Sequence, residues 1–467
     1  MWNRPPRWLP TGAACDTESG FPEQTDYAPM IRTPKQIAET RFGYGIKFPE
    51  AADPKGWLTR QFAHGSQAIP GVESSIERMR AFQDYQQAKQ QAKQSNEMSG
   101  FDRRLPDRTF RVDLSARQLA MASSETPLVE RLVAFWNNLL CVSTLGNQPI
   151  LMLAVPYENE VIRPHLTGSY AEMLYASATH PAMLIYLDQA RSVGPNSRMG
   201  KRRKRDINEN YARELLELHT LGTGHYDQTD VRQLAYLLTG WTIHRKHSEV
   251  RFSRAQAEPG KFTVVRHSFR SGRPEALREV CDRLAAHPAT AHRISRKLAA
   301  HFVADEPPDE LVNTMAEAWL GSVGNLRIVT QTLLEHKAAW RPQAHKFRPP
   351  AEWLTGVLAV AGVSVAHNVA KFIPKSLQQL GHTPFAPPSP EGWPDGASNW
   401  LTPDGLVTRT DIAQVAGRRF AKAKLKRQDV AERFSYLEEA TLEAMRTASN
   451  HAEGIALVLL SPEFNRR

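Results

Sequence analysis

Two carboxylates on one helical face are what general acid and base catalysis asks for, and RDINENYARELLELHTLG at 205–222 supplies them. Read as a helix over 207–221, with about 100° per residue, it sets Asn210, Glu214 and Glu217 at i, i+4 and i+7. A carboxamide and two carboxylates then point at one spot. If that spot is buried, they require a cation, an arginine or a shared proton, because an unpaired buried carboxylate is costly. Glu214 and Glu217 are the candidates for acid/base or cation-holding roles, and Arg213 for orienting a carboxylate or binding an anionic group. Asn208, Glu209, Asn210 and His219, joined by Asn138 and Glu258 from other segments, are the candidates for contacting a substrate. The helical wheel puts His219 on the opposite side from Glu214, so these two do not chelate one metal by themselves. The same stretch also describes a plain solvated face. Glu209 and Arg213 make an (i, i+4) pair worth about 0.2–0.5 kcal/mol, and Asp206 or Asn208 suits a helix cap. Burial decides between the two.

The elements around this helix read as helices too. ETPLVERLVAFWNNLLCV (125–142) carries Leu128, Leu132, Phe135, Trp136 and Leu139 at helical spacing after Thr126-Pro127. The polar segment 72–98 suits an exposed helix or a helix followed by a flexible linker, and the tract up to RLPDRT reads as loop. Further helices are predicted at about 168–179, 181–191, 229–240, 274–286, 288–304, 309–320, 325–336, 349–363, 407–422, 428–447 and 451–460. HPAM and HPAT place proline in a first turn, where its missing N–H costs least. Asp227 and Asp230 in GHYDQTDV suit a helix cap, and Trp241 a packing anchor. Glu158, Glu160 and Arg163-Pro164-His165 read as a helix-entry loop. VRFS (250–253) and KFTVVRH (261–267) alternate apolar with polar and would pair as a hairpin. The Pro- and Gly-dense tract 381–405, with Phe385, Trp393 and Trp400, suits a loop strapped across helices or a carbohydrate groove. The expected fold is mainly α: an irregular lead over 1–34, then one multi-helix domain over 35–467 with a minor β-hairpin near 250–267.

Composition bounds the function classes. The chain has 467 residues and a net charge of +10, and much of the excess sits in short tracts such as KRRKR at 201–205. That loop suits an anionic polymer, phosphate or membrane surface, but it lacks the interleaved aromatic residues that stack bases, so nucleic acid is not the expected partner. Three separated cysteines, Cys15, Cys141 and Cys281, form no zinc-finger or disulfide framework. P-loop, GxGxxG, GxSxG and HExxH signatures are absent, and no metal or cofactor is specified. No apolar run reaches a membrane span of roughly 20 residues, and the N-terminus carries no apolar signal region. A cytoplasmic protein is expected as the chain is written, and an exported or periplasmic one if its start is misassigned.

NENYARELLELHTLG followed by GHYDQTDVRQLAYLLTGWT resembles the hallmark of a bacterial family catalogued as domain of unknown function 1800. RFGYG, VAFWNN, ENEVIRPHLTGSYAEML, HPAMLIYLDQARSVGPNSR, HPATAHRISRKLAAHFVADEPP, PSPEGWPDG and LLSPEFNRR fit its pattern in order, over about residues 36–467. The resemblance implies a helical fold, frequent export, and a neighbouring gene for a sulfatase- or phosphatase-like protein as partner. The chain departs from the family pattern at Leu139 and Ala257, where histidines are usual. If those histidines act as ligands or bases, an activity of the family is weakened or lost here. Two functions follow as expectations: a hydrolase-like or cation-binding site built on the polar helix, altered in this member, or a non-catalytic scaffold in which the same residues form an ion network.

Overall fold

The computed structural model describes residues 30–48, 53–63, 65–204, 206–244, 248–344, 346–362 and 370–467. The lead up to residue 29, with Cys15, and Arg205 of the basic tract lie outside the described residues. Helices α1 (Pro34–Arg41), α2 (Pro54–Arg60), α3 (Ser75–Gln94), α4 (Leu105–Ala122) and α5 (Pro127–Leu139) open the fold. Next, α6 (Gln148–Tyr157) runs through a π-helical turn, Glu158–Ile162, into the short α7 (Arg163–His165). Then come α8 (Tyr170–Ala178), α9 (Pro181–Tyr186), α10 (Arg198–Arg203), α11 (Asn210–Glu217) and α12 (Gln228–Leu238). Strands β1 (Trp241–His244), β2 (Glu249–Phe252), β3 (Lys261–Val264) and β4 (His267–Arg270) precede α13 (Glu275–Ala285), α14 (Pro288–Phe302), α15 (Asp309–Gly321), α16 (Leu326–Glu335) and α17 (Pro350–Ala361). The chain ends in α18 (Ile373–Gln379), α19 (Pro403–Lys422), α20 (Arg427–Ala431), α21 (Glu439–Thr447), α22 (His451–Leu460) and α23 (Pro462–Asn465). The fold is mainly α, as the periodicity predicts. Among the described residues, no helix is long and apolar enough to cross a membrane.

Local signals explain most helix starts. His180 and His287 cap α9 and α14, each ring Nδ1 accepting an amide two residues on at 3.1 Å, with Pro181 and Pro288 filling the first turn. Asp227 and Asp230 form a reciprocal capping box on α12. One continuous apolar cluster fills the interior, and within it Tyr170 packs between Trp136 and Trp319 at 5.5 and 5.2 Å.

Four expectations change. RLPDRT is the start of α4 and not a loop: Pro106 sits in the first turn, and Phe110, Leu114 and Met121 then turn inward. The cluster at 158–165 is helical, because the π turn carries α6 past Pro156 and brings Glu158 into the interior beside Arg163. The strand segments 250–253 and 261–267 do not pair with each other. β1 pairs with β2 and β3 with β4, each antiparallel, so there are two hairpins. Finally, 428–447 is broken between α20 and α21. There Tyr436 donates to the Gly45 carbonyl and Ser435 to the Glu39 carboxylate, and these tertiary bonds override helix propensity.

Candidate functional site

The predicted centre on α11 divides into three environments. Toward solvent, Gln228 at the start of α12 bridges Glu209 and Arg213, donating to the carboxylate at 2.7 Å and accepting from the guanidinium at 2.8 Å. Asn208 turns its carboxamide oxygen onto the Asn210 amide, and Asn210 itself is exposed. Further in, Glu217 accepts from the Tyr226 hydroxyl, and Glu214 is half-buried. Burial, then the Glu217 charge, raises the Glu214 carboxyl against the pull of Arg213. On the far side His219 is fully buried, its Nδ1 without a partner among the described residues. Its carbonyl accepts from Tyr170. Glu258 is buried, but its carboxylate holds the Asn196 amide and side chain at 2.8 and 2.6 Å and makes no bond to the α11 carboxylates. Leu139 and Ala257 are both packed in the interior.

Glu214 carries a sign that can be measured. A carboxyl raised in the fold gives stability that is present below its unfolded value and lost as pH rises through the folded one. Glu214→Gln should therefore raise the melting temperature at pH 7 relative to wild type, and the gain should vanish near pH 4. Equal melting at both pH values for the pair rules out this environment for Glu214.

Asn138 belongs elsewhere. Its amide clamps the loop between α18 and α19, donating to the Trp393 carbonyl and accepting the Trp393 amide, both at 2.8 Å. Ser143 holds the Pro387 carbonyl at 2.8 Å, and the Thr144 amide holds that of Phe385 at the same distance. Gly392 makes the clamp fit: its φ is +88°, and a Cβ there would lie 2.5 Å from the Asn138 carbonyl oxygen. The loop is thus a strap, drawn over the ends of α4, α5 and α17.

Beneath the strap lies a cavity of about 90 Å³. At roughly 10–15 Å³ per water, that is room for several waters or one small molecule. Met121, Phe385, Trp393 and prolines supply apolar wall, and Arg117, Arg131, Glu352, His301 and Asp395 supply the charge. His301, near the end of α14, places Nδ1 2.9 Å from Asp395 of the strap. Burial alone would raise the Asp395 carboxyl, but His301, Lys346 and Arg467 outweigh it and bring it to about 2. Burial dominates at the ring and keeps His301 neutral, below the usual histidine range. The ionised carboxylate therefore accepts a hydrogen bond from Nδ1–H, and Nε2 keeps its lone pair. That nitrogen has no partner among the described residues.

Three more atoms share this condition. Tyr44 Oη, Arg131 Nη2 and Asn137 Oδ1 all belong to side chains that line the cavity, are at least nine-tenths buried, and lack a partner among the described residues. Native interiors leave few such atoms unpaired, and water or a ligand is the usual explanation. Charge is also unbalanced. Glu352 faces Arg131 and Arg467 at 3.0 Å and Arg348 at 3.9 Å. Among the described residues, only Glu352 and Asp395 stand against these three guanidiniums, because Lys346 is balanced by Asp305 at 2.6 Å. The effect is visible in Arg467, lowered to about 9 by burial and then by Arg131. Cys141 lines the same cavity, but its thiol donates to the Pro390 carbonyl and burial pushes it up to about 12, which disarms it as a nucleophile.

Sequence reasoning passed over His301, Asp395, Glu352, Arg131 and Tyr44. A partial signal existed: Arg293, Lys297 and His301 recur at i, i+4 and i+8 along α14, a polar row that a purely buried helix does not need. Among the described residues, no group of three or more His, Cys, Asp or Glu side chains is arranged to hold a metal ion. A family model described as protein of unknown function (DUF1800) matches residues 38–466. No curated protein and no solved structure matches the chain.

Proposed function

The chain belongs to the DUF1800 family, and within that frame we propose that it is an acid–base enzyme taking a small anionic substrate under the strap. The observation carrying this is the His301–Asp395 pair, whose free Nε2 borders a cavity with unpaired Arg131 and Tyr44 donors. Asp395 fixes the ring and its tautomer, Nε2 is the general base, and Arg131 with Tyr44 binds an anionic oxygen. Hydrolysis, the reaction class expected from the sequence, fits this geometry. Nε2 takes a proton from water, the water oxygen attacks a carbonyl or phosphoryl centre, and the leaving group departs with that proton. Glu214 and Glu217 stand outside this cavity lining and take no part in the proposed step.

The test uses benzoate and inorganic phosphate as probes of the cavity. Either should raise the melting temperature of the wild type, with Tyr44→Phe binding it at least fivefold more weakly. Removing a hydroxyl that has no partner should leave stability without ligand within about 1 kcal/mol of wild type, since a buried unpaired hydroxyl contributes no hydrogen bond. Equal affinity in Tyr44→Phe, or no response to either anion, sinks the proposal.

The scaffold reading has one specific support. Glu130, Arg163, Glu158 and Arg117 form a buried chain of ion pairs at 2.6–3.0 Å that ties α4, α5 and the π turn together. Such a network fixes packing with no chemistry. Loss of anion binding without loss of stability in Tyr44→Phe separates the two.

A further inference from the structure

A second cavity of about 680 Å³ opens between α2, the loop at 65–70 and the junction of α4 with α5. Its size falls within the roughly 300–1,000 Å³ of small-molecule sites. We propose that it binds a neutral polyhydroxylated ligand, a short carbohydrate.

The charges argue against an ion. Arg60 and Arg163 are matched on the lining by Glu125 and Glu130, so no sign is in excess. The buried pair is also already committed: Arg163 holds both oxygens of Glu130 at 2.9 Å and reaches Glu158 at 3.0 Å. The buried group that remains available is neutral. Gln61 is 3% exposed, and its Oε1 accepts the Leu128 amide at 2.9 Å, while Nε2 has no partner among the described residues. Ser124 and Thr126 bring hydroxyls to the same lining. Trp57 stacks at 3.6 Å on Phe48, which commits one face of the indole, and the ring also lines the cavity. A sugar matches this set, with C–H edges for an aromatic face and hydroxyls that donate to and accept from amide and hydroxyl groups.

Saturation-transfer NMR on the full chain with cellobiose, maltose and N-acetylglucosamine tests the assignment. At least one sugar should bind. Its affinity should fall at least tenfold in Ala68→Trp, which fills the cavity from the exposed loop, and in Trp57→Leu, which removes the aromatic face. Tyr44→Phe should leave sugar binding unchanged, so this site stands or falls separately from the one under the strap. Should Trp57→Leu fail to fold, Ala68→Trp decides alone. No transfer to any of the three sugars, unaltered transfer in Ala68→Trp, or displacement of the sugar by phosphate overturns the proposal.

Discussion

Lowering the pH from 7.5 to 5 should cost this protein about 2 kcal/mol at each of two histidines, a loss that the raised carboxyls of Asp113 and Glu214 partly offset as they take up protons. His219 is buried and His382 half-buried, and both rings are neutral in the fold. Burial, then Arg293, lowers His219 to about 3. Burial also lowers His382 to about 3, against a smaller pull upward from Asp395. In the unfolded chain each takes up a proton near the ordinary value of about 6.5, whereas in the fold neither does until much lower pH. The unfolded state therefore binds more protons below about pH 6.5, and stability falls as pH falls through that window. At pH 5 each ring forgoes a unit and a half of protonation, which is about 2 kcal/mol per site. His301 is displaced in the same direction and adds to the loss. Asp395 acts later: its ionised form stabilises the fold above the unfolded carboxyl value, and that contribution fades only as pH falls toward 2. Urea unfolding at pH 7.5, 6 and 5 measures the slope. In the double variant His219→Gln/His382→Gln the slope should drop to less than half, whatever its absolute stability. A fall in stability that is no smaller in the double variant than in the wild type contradicts the neutral state of both rings.

That His219 lies apart from Glu214 was legible from helical periodicity, although the predicted helix over 207–221 is shorter in the structure and His219 sits in the turn just after α11. Its burial was not, since burial depends on what distant segments bring against it, Tyr170 of α8 and Arg293 of α14 among them. The same limit runs through the fold. α5 and α14 are readable from apolar rows alone, and the strap from its prolines and glycines. α4 is hidden because Pro106 and Asp107, which serve its first turn, look like loop residues when read locally. The helix break near Tyr436 is hidden because its cause, Gly45, is 391 residues away. The candidate site suffers most from this. His301 and Asp395 are separated by 94 residues, and no local spacing relates them. Glu209, Arg213, Glu214 and Glu217 drew notice because charged residues were dense in one stretch. The structure gives the first two to solvent and Gln228. Charge density in sequence marks polar surface as readily as a site, whereas isolated polar residues on apolar helices carry the stronger signal.

Glu352 is such a residue, one carboxylate on the otherwise apolar α17, and its loss should be the most damaging single change in the cavity. Burial would raise it, but Arg131, Arg467 and Arg348 outweigh burial and keep it ionised. Glu352→Gln leaves three guanidiniums opposed by Asp395 alone, and breaking a buried ion pair from one side costs about 3–5 kcal/mol. The carboxamide preserves shape, so the loss reports charge and not a hole. Two accounts of the cavity then diverge. If the arginines only brace the packing, the destabilisation is the same in every buffer. If the cavity accepts anions, an added anion restores the missing negative charge, and benzoate or phosphate should stabilise Glu352→Gln by more than it stabilises the wild type. The excess follows from linkage, because a ligand that binds only the folded state adds RT ln(1 + [L]/Kd), and Kd falls when the competing carboxylate is gone. Urea midpoints for wild type and Glu352→Gln, with and without 50 mM sodium benzoate against sodium chloride at equal ionic strength, make the comparison. A variant rescued equally by chloride reports screening alone, and one rescued by neither anion leaves Arg131, Arg348 and Arg467 as structural side chains with no ligand to hold.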